Sequence, residues 1–90
     1  MPLHADRLEG RALLVAGDAQ AALVPFARAV AGFEALEATW EVALTELSYG
    51  EALVALGRGA DAHGILVSAG EAFERLRVPR ELARTRALLG

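Results

Sequence analysis

Residues 10–17, Gly10-Arg11-Ala12-Leu13-Leu14-Val15-Ala16-Gly17, recur forty positions later as Gly50-Glu51-Ala52-Leu53-Val54-Ala55-Leu56-Gly57. The same register continues without a gap through Ala22 and Ala62, Ala29 and Ala69, Phe33 and Phe73, Glu34 and Glu74, Leu36 and Leu76, Ala43 and Ala83, and Thr45 and Thr85. Alanine and leucine coincide readily in a chain this rich in both, whereas paired glycines and phenylalanines do not. Around each matched stretch, apolar residues recur at spacings of three and four and glycine interrupts them. The repeating unit therefore reads as a helix, a glycine-containing turn and a second helix, the way a helical solenoid is assembled.

Composition leads to the same class. Of the 90 residues 54% are apolar, with 20 alanines and 15 leucines against seven valines, one isoleucine and five aromatics. Alanine and leucine head the helix scale, and the strand-favouring types are scarce. Ninety residues make one domain with a modest core, which excludes a two-domain enzyme. The absence of cysteine excludes disulfides, thiolate catalysis and cysteine-ligated metal. No uncharged run approaches the roughly 18 residues of a membrane span, and the start lacks a signal peptide's basic and apolar regions, so a cytoplasmic protein with no membrane contact is expected.

Punctuation sets the helices. The first is expected over Leu3 to Ala16, with Leu8, Ala12 and Val15 on one stripe, ending at Gly17 before an Asp18 N-cap. The second runs from Ala19 to Leu36, with Pro25 kinking it or leaving residues 18–23 as a loose first turn. The third, from Ala38 or Thr39 to Leu56, is the central element, and Trp40 at its start is an expected packing anchor. The fourth runs from Ala60 to Leu76, with Gly64 and Gly70 explained by close helix approach. Pro79 opens a fifth, ending near Leu89. Links of two to four residues force successive helices antiparallel.

Counted from Gly10 or Gly50, the unit resembles the tetratricopeptide repeat. A leucine stands three on (Leu13, Leu53), an alanine twelve on (Ala22, Ala62), a bulky residue sixteen on (Phe26, Leu66) and an alanine nineteen on (Ala29, Ala69). It departs from that family in lacking a tryptophan four before the glycine (Asp6, Glu46) and a closing proline (Glu34, Glu74), and in its period of 40 in place of about 34. With the stretch 72–86 and its echo at 31–36 followed by Trp40, the chain also resembles the repeat regions of large LuxR-type regulators with MalT-like repeats. The resemblance implies an all-α fold of about five helices, antiparallel helix pairs in a short right-handed α-solenoid, with units at 1–37 and 38–77 and the start of a third at 78–90. It implies a non-enzymatic protein-interaction or scaffold segment of a larger transcriptional or signalling regulator. In the forty-residue register Gly90 equals Gly50, so a segment of a longer array is expected. The alternative is a stand-alone helical protein that binds a ligand or forms a homodimer, with its pocket near Phe26, Phe33, Trp40 and Leu44.

No residue constellation carries catalysis. His4 and His63 share no metal-ligand spacing, and Asp61 and His63 lie on different helix faces, so neither a metal nor a cofactor is expected. Ser48 and Ser68 have no neighbouring histidine–acid pair, and the Gly57-Arg58-Gly59 turn has no phosphate-loop context. Glu34, Glu37 and Glu41 read as a solvated rim divided by the break near Ala38.

Charge is unevenly spread. Residues 1–74 carry four arginines against eleven acids, a balance of −7, and residues 75–90 carry five arginines against Glu81 alone, a balance of +4. Local pairing is expected between Arg75 and Glu71, Arg77 and Glu74, and Glu81 and Arg84, with Arg75 and Arg77 favoured by the helix dipole. An acidic chain does not suit direct nucleic-acid binding. The expected partner is a protein or peptide, including other domains of a parent chain, and self-association through exposed solenoid ends. Its contacts are expected from the groove-lining helices at Arg7, Arg11, Thr45, Ser48, Tyr49 and Glu51, with Arg80 and Arg84 from the arginine-rich end.

Overall fold

The computed structural model describes residues 3–90, which form five helices and, among the described residues, no strand: α1 (Leu3–Val15), α2 (Ala19–Ala35), α3 (Thr39–Ala55), α4 (Gly59–Leu76) and α5 (Pro79–Leu89). Asp18 caps α2 by accepting a hydrogen bond from the Ala21 amide at 3.1 Å, so the first turn is well formed. Pro25 is buried inside α2, which runs unbroken through it. Gly59 belongs to α4 as its first helical residue and is not part of the preceding turn.

The helix ends recur forty residues apart. Gly17 (φ 87°) and Gly57 (φ 73°) take the left-handed conformation, and their amides donate to Leu14 and Val54 carbonyls at 3.1 and 2.9 Å. The next amides, of Asp18 and Arg58, reach back to Leu13 and Leu53 at 2.9 and 2.8 Å, which completes the same C-cap twice. Glu37 (φ 55°) and Arg77 (φ 58°) end α2 and α4 in the same way without glycine. Arg77 thus serves as a left-handed cap, where a side chain costs about 1–2 kcal/mol.

Packing rests on two close approaches in the same register. A Cβ on Gly10 would lie 2.5 Å from Phe26 Cε1, and one on Gly50 would lie 2.3 Å from Leu66 Cδ2. Glycine at each place lets a bulky buried side chain of the following helix seat directly on the backbone. One buried cluster joins Ala19, Ala22, Phe26 and Ala52, and another joins Ala43, Leu47, Leu53, Ala62, Leu66, Ala69, Ala72 and Phe73. Leu23 and Tyr49 touch both and make the core continuous. Trp40 packs edge-on against Phe73 with centroids 5.9 Å apart, the anchoring role expected of it. Consecutive helices pack on one another, and α3 also touches α1 and α5, whereas no Cα of α2 comes within 8 Å of one in α4.

Three packing expectations are corrected. Leu8, Ala12 and Val15 face solvent, because α1 turns Gly10, Leu13 and Leu14 toward α2. Leu36 and Leu76 are likewise exposed. Gly64 is exposed and a Cβ there would meet nothing, while a Cβ on Gly70 would lie an ordinary 3.6 Å from Thr85 Cγ2; the glycines that close approach requires are Gly10 and Gly50, with Gly32, where a Cβ would lie 2.3 Å from Leu3 Cδ2.

Gly10→Ala is therefore expected to destabilise the chain by about 1–3 kcal/mol through overpacking against Phe26, despite alanine's better helix propensity. Gly64→Ala is expected to stabilise it by about 1 kcal/mol. Urea unfolding of the two variants beside the parent chain measures both signs.

Candidate functional site

Helices α1, α3 and α5 share one side of the molecule, and there they enclose a cleft of about 200 Å³ lined by Arg7, Arg11, Leu44, Leu47, Ser48, Glu81 and Arg84. Arg7 and Arg11 stand one turn apart on α1, which puts both guanidiniums over the same face. Glu51 of α3 ties the three helices together: it accepts from Arg11 Nη1 at 3.4 Å and from Arg84 Nη2 at 2.7 Å. Arg11 also points at Ser48 Oγ, 3.4 Å away. Arg7 lies with its guanidinium carbon 5.7 Å from the Phe33 ring centroid.

Of the residues expected to meet a partner, Arg7, Arg11, Ser48 and Arg84 line this cleft and Glu51 braces it. Three do not belong to it. Thr45 is fully buried and its hydroxyl donates to the Glu41 carbonyl at 2.7 Å, a bond repeated by Thr85 and Glu81 at 2.8 Å. Tyr49 is partly buried against the core, and Arg80 is exposed and forms no ion pair among the described residues. Of the residues around which a pocket was expected, Phe26 and Phe33 are core residues, Trp40 packs against Phe73, and Leu44 lines the α1–α3–α5 cleft.

Long-range ion pairs replace the local ones expected at the arginine-rich end. Arg84 goes to Glu51, Arg86 pairs with Glu74 at 2.8 Å, and neither Arg75 nor Arg77 forms an ion pair among the described residues. The helix-surface spacing permitted the local pairs, but neighbouring helices bring carboxylates nearer.

A second cleft, of about 350 Å³, opens where the end of α2 meets α3 and α4, lined by Glu34, Glu37, Thr39, Val42, Glu46, Ser68, Ala72 and Arg75. The break near Ala38 leaves Glu41 out and brings Glu46 in. Burial pushes the Glu46 carboxyl up from its ordinary 4.5 to about 7; the Ser68 hydroxyl, donating to Oε1 at 3.2 Å, works against this, and the charge of Glu34 adds to it. Glu46 had a legible signal, a carboxylate four residues after Val42, itself three after Thr39, and so on one face of α3 with them. No group of three metal-ligating side chains occurs among the described residues, and none of the described helices is long and apolar enough to cross a membrane.

A carboxyl whose folded pKa lies above its unfolded value holds its proton more tightly in the folded chain. Its stabilising contribution is complete below pH 4.5 and is lost as pH rises through about 7. Replacing Glu46 by glutamine is expected to remove this component, so that the stability difference between variant and parent grows in the variant's favour from pH 4.5 to 7; urea unfolding across that window measures it. Comparison with protein-family models, curated proteins and solved structures finds no match for this chain.

Proposed function

We propose that this chain is a non-enzymatic interaction segment, a short right-handed α-solenoid of the tetratricopeptide-like kind, working in the cytoplasm within a larger transcriptional or signalling regulator. The observation that carries the reading is that positions buried in the middle of the stack are bare at its ends. Thr45, Ser48 and Ala52 of α3 are buried, while their counterparts in the forty-residue register, Ala5, Leu8 and Ala12 of α1, are exposed, Leu8 by 66%. At the other end Ala43, Leu47 and Gly50 are buried, and their counterparts Ala83, Ala87 and Gly90 face solvent.

Both ends also carry clefts lined largely by apolar residues. One, of about 450 Å³, lies among Leu3, Ala31, Gly32, Ala35 and Leu36 with Arg28 at its side; the other, of about 390 Å³, lies among Phe73, Val78, Pro79 and Leu82 with Glu74 and Arg77. Exposed apolar surface of this kind marks a docking face. The partner is a protein, either further units of a parent chain or another molecule.

Light scattering after size exclusion, over a range of protein concentrations, tests this. Progressive, concentration-dependent association is expected, and Leu8→Glu or Ala83→Glu, both at exposed positions, is expected to suppress it. A fixed dimer that neither substitution weakens contradicts the reading.

A further inference from the structure

The inner cleft contains two charged residues of opposite sign that the fold leaves unmatched. Arg11 and Arg84 are both satisfied by Glu51. Arg7 is not: its Nη1 is buried with no hydrogen-bond partner among the described residues, and Nη2 has only His4 Nδ1 at 3.4 Å. A buried donor without an acceptor is costly, and the ring of Phe33 against the guanidinium holds Arg7 in place. Across the cleft Glu81 of α5 forms no ion pair and no side-chain hydrogen bond among the described residues, since Arg84 turns to Glu51; only its backbone carbonyl is engaged, by Thr85. Leu44, Leu47 and the Ser48 hydroxyl complete the lining.

We propose that this cleft binds a small zwitterion of the α-amino-acid class. Its carboxylate pairs with Arg7 through Nη2, Nη1 being sealed from solvent, its ammonium pairs with Glu81, and a medium apolar side chain lies over Leu44 and Leu47. The remaining charges select for both ends of the ligand together. An anion alone faces the carboxylates of Glu51 and Glu81, and a cation alone faces three guanidiniums. The volume of about 200 Å³ is smaller than a drug-sized pocket and limits an occupant held within it to a single small molecule. The site is independent of the end-face association, because none of its residues is among those assigned to the ends.

Amide and arginine side-chain NMR shifts of the full chain, titrated with L-leucine, 4-methylpentanoate and 3-methylbutylamine, test the assignment. L-leucine is expected to give saturable shifts at Leu47, Ser48 and Arg7, and each single-charge analogue to bind about tenfold more weakly or worse. Arg7→Gln and Glu81→Gln are each expected to weaken L-leucine binding by about tenfold, with helical circular dichroism retained, while Arg80→Gln leaves it unchanged. The proposal is overturned if L-leucine gives no saturable shift up to about 10 mM. It is equally overturned if 4-methylpentanoate binds as tightly as L-leucine, which marks a plain anion site, or if a folded Arg7→Gln binds as before.

Discussion

The seating of Phe26 on the bare backbone of Gly10, repeated by Leu66 on Gly50, is the contact on which the rest of the molecule depends. Any side chain at either glycine would occupy the space already filled by a buried ring or isobutyl group. The alanines of the facing helices, Ala22, Ala29, Ala62 and Ala69, are all fully buried and keep the approach close along its length. A bulky residue on one helix and a small one on its neighbour give interdigitated packing with no room to slide. Because the arrangement occurs twice with a spacing of forty residues, the second pair of helices is placed beside the first with the same glycine C-cap and the same turn geometry.

That stacking also explains the electrostatics. Glu51 projects from the central helix and is reached by an arginine from the helix on either side, so one carboxylate registers α1 and α5 against α3. Arg28 does similar work at the surface by meeting Asp6 at 3.2 Å and Glu9 at 3.5 Å. Exposed pairs of this kind contribute little energy singly, and their value here is orientation. The two inner clefts then differ in sign. The α1–α3–α5 cleft gathers guanidiniums, and the α2–α3–α4 cleft gathers carboxylates, one of which, Glu46, is buried enough to hold its proton near neutral pH.

Helix boundaries were legible in the sequence almost to the residue, because glycine and proline punctuate an alanine- and leucine-rich chain in which nothing competes with helix. The charged face of α1 and α3 was partly legible for the same reason: Arg7 and Arg11 are one turn apart, and Ser48 and Glu51 are three apart. What helical periodicity does not contain is which of two apolar faces a neighbour covers. The Leu8, Ala12 and Val15 stripe reads as core and is exposed, since Gly10 draws Phe26 to the other side of α1. A threonine inside a helix reads as a polar contact, yet Thr45 turns its hydroxyl back onto the Glu41 carbonyl and is lost to the core. Glu41 and Glu81, whose carbonyls accept those threonine bonds, are themselves in the forty-residue register. Ion pairing at the arginine-rich end escaped local spacing, because Glu51 and Glu74 are brought to Arg84 and Arg86 by neighbouring helices, whereas Arg58 pairs with Asp61 three residues on.

The central claim is that two equivalent glycine-seated helix pairs stand side by side without closing into a bundle. A nuclear Overhauser spectrum in solution tests it most directly. The account predicts cross-peaks from the Gly10 Hα protons to the Phe26 ring and from the Gly50 Hα protons to the Leu66 methyls, with no backbone-to-backbone cross-peaks between α2 and α4. Loss of the glycine cross-peaks, or backbone contacts joining α2 to α4, would contradict it.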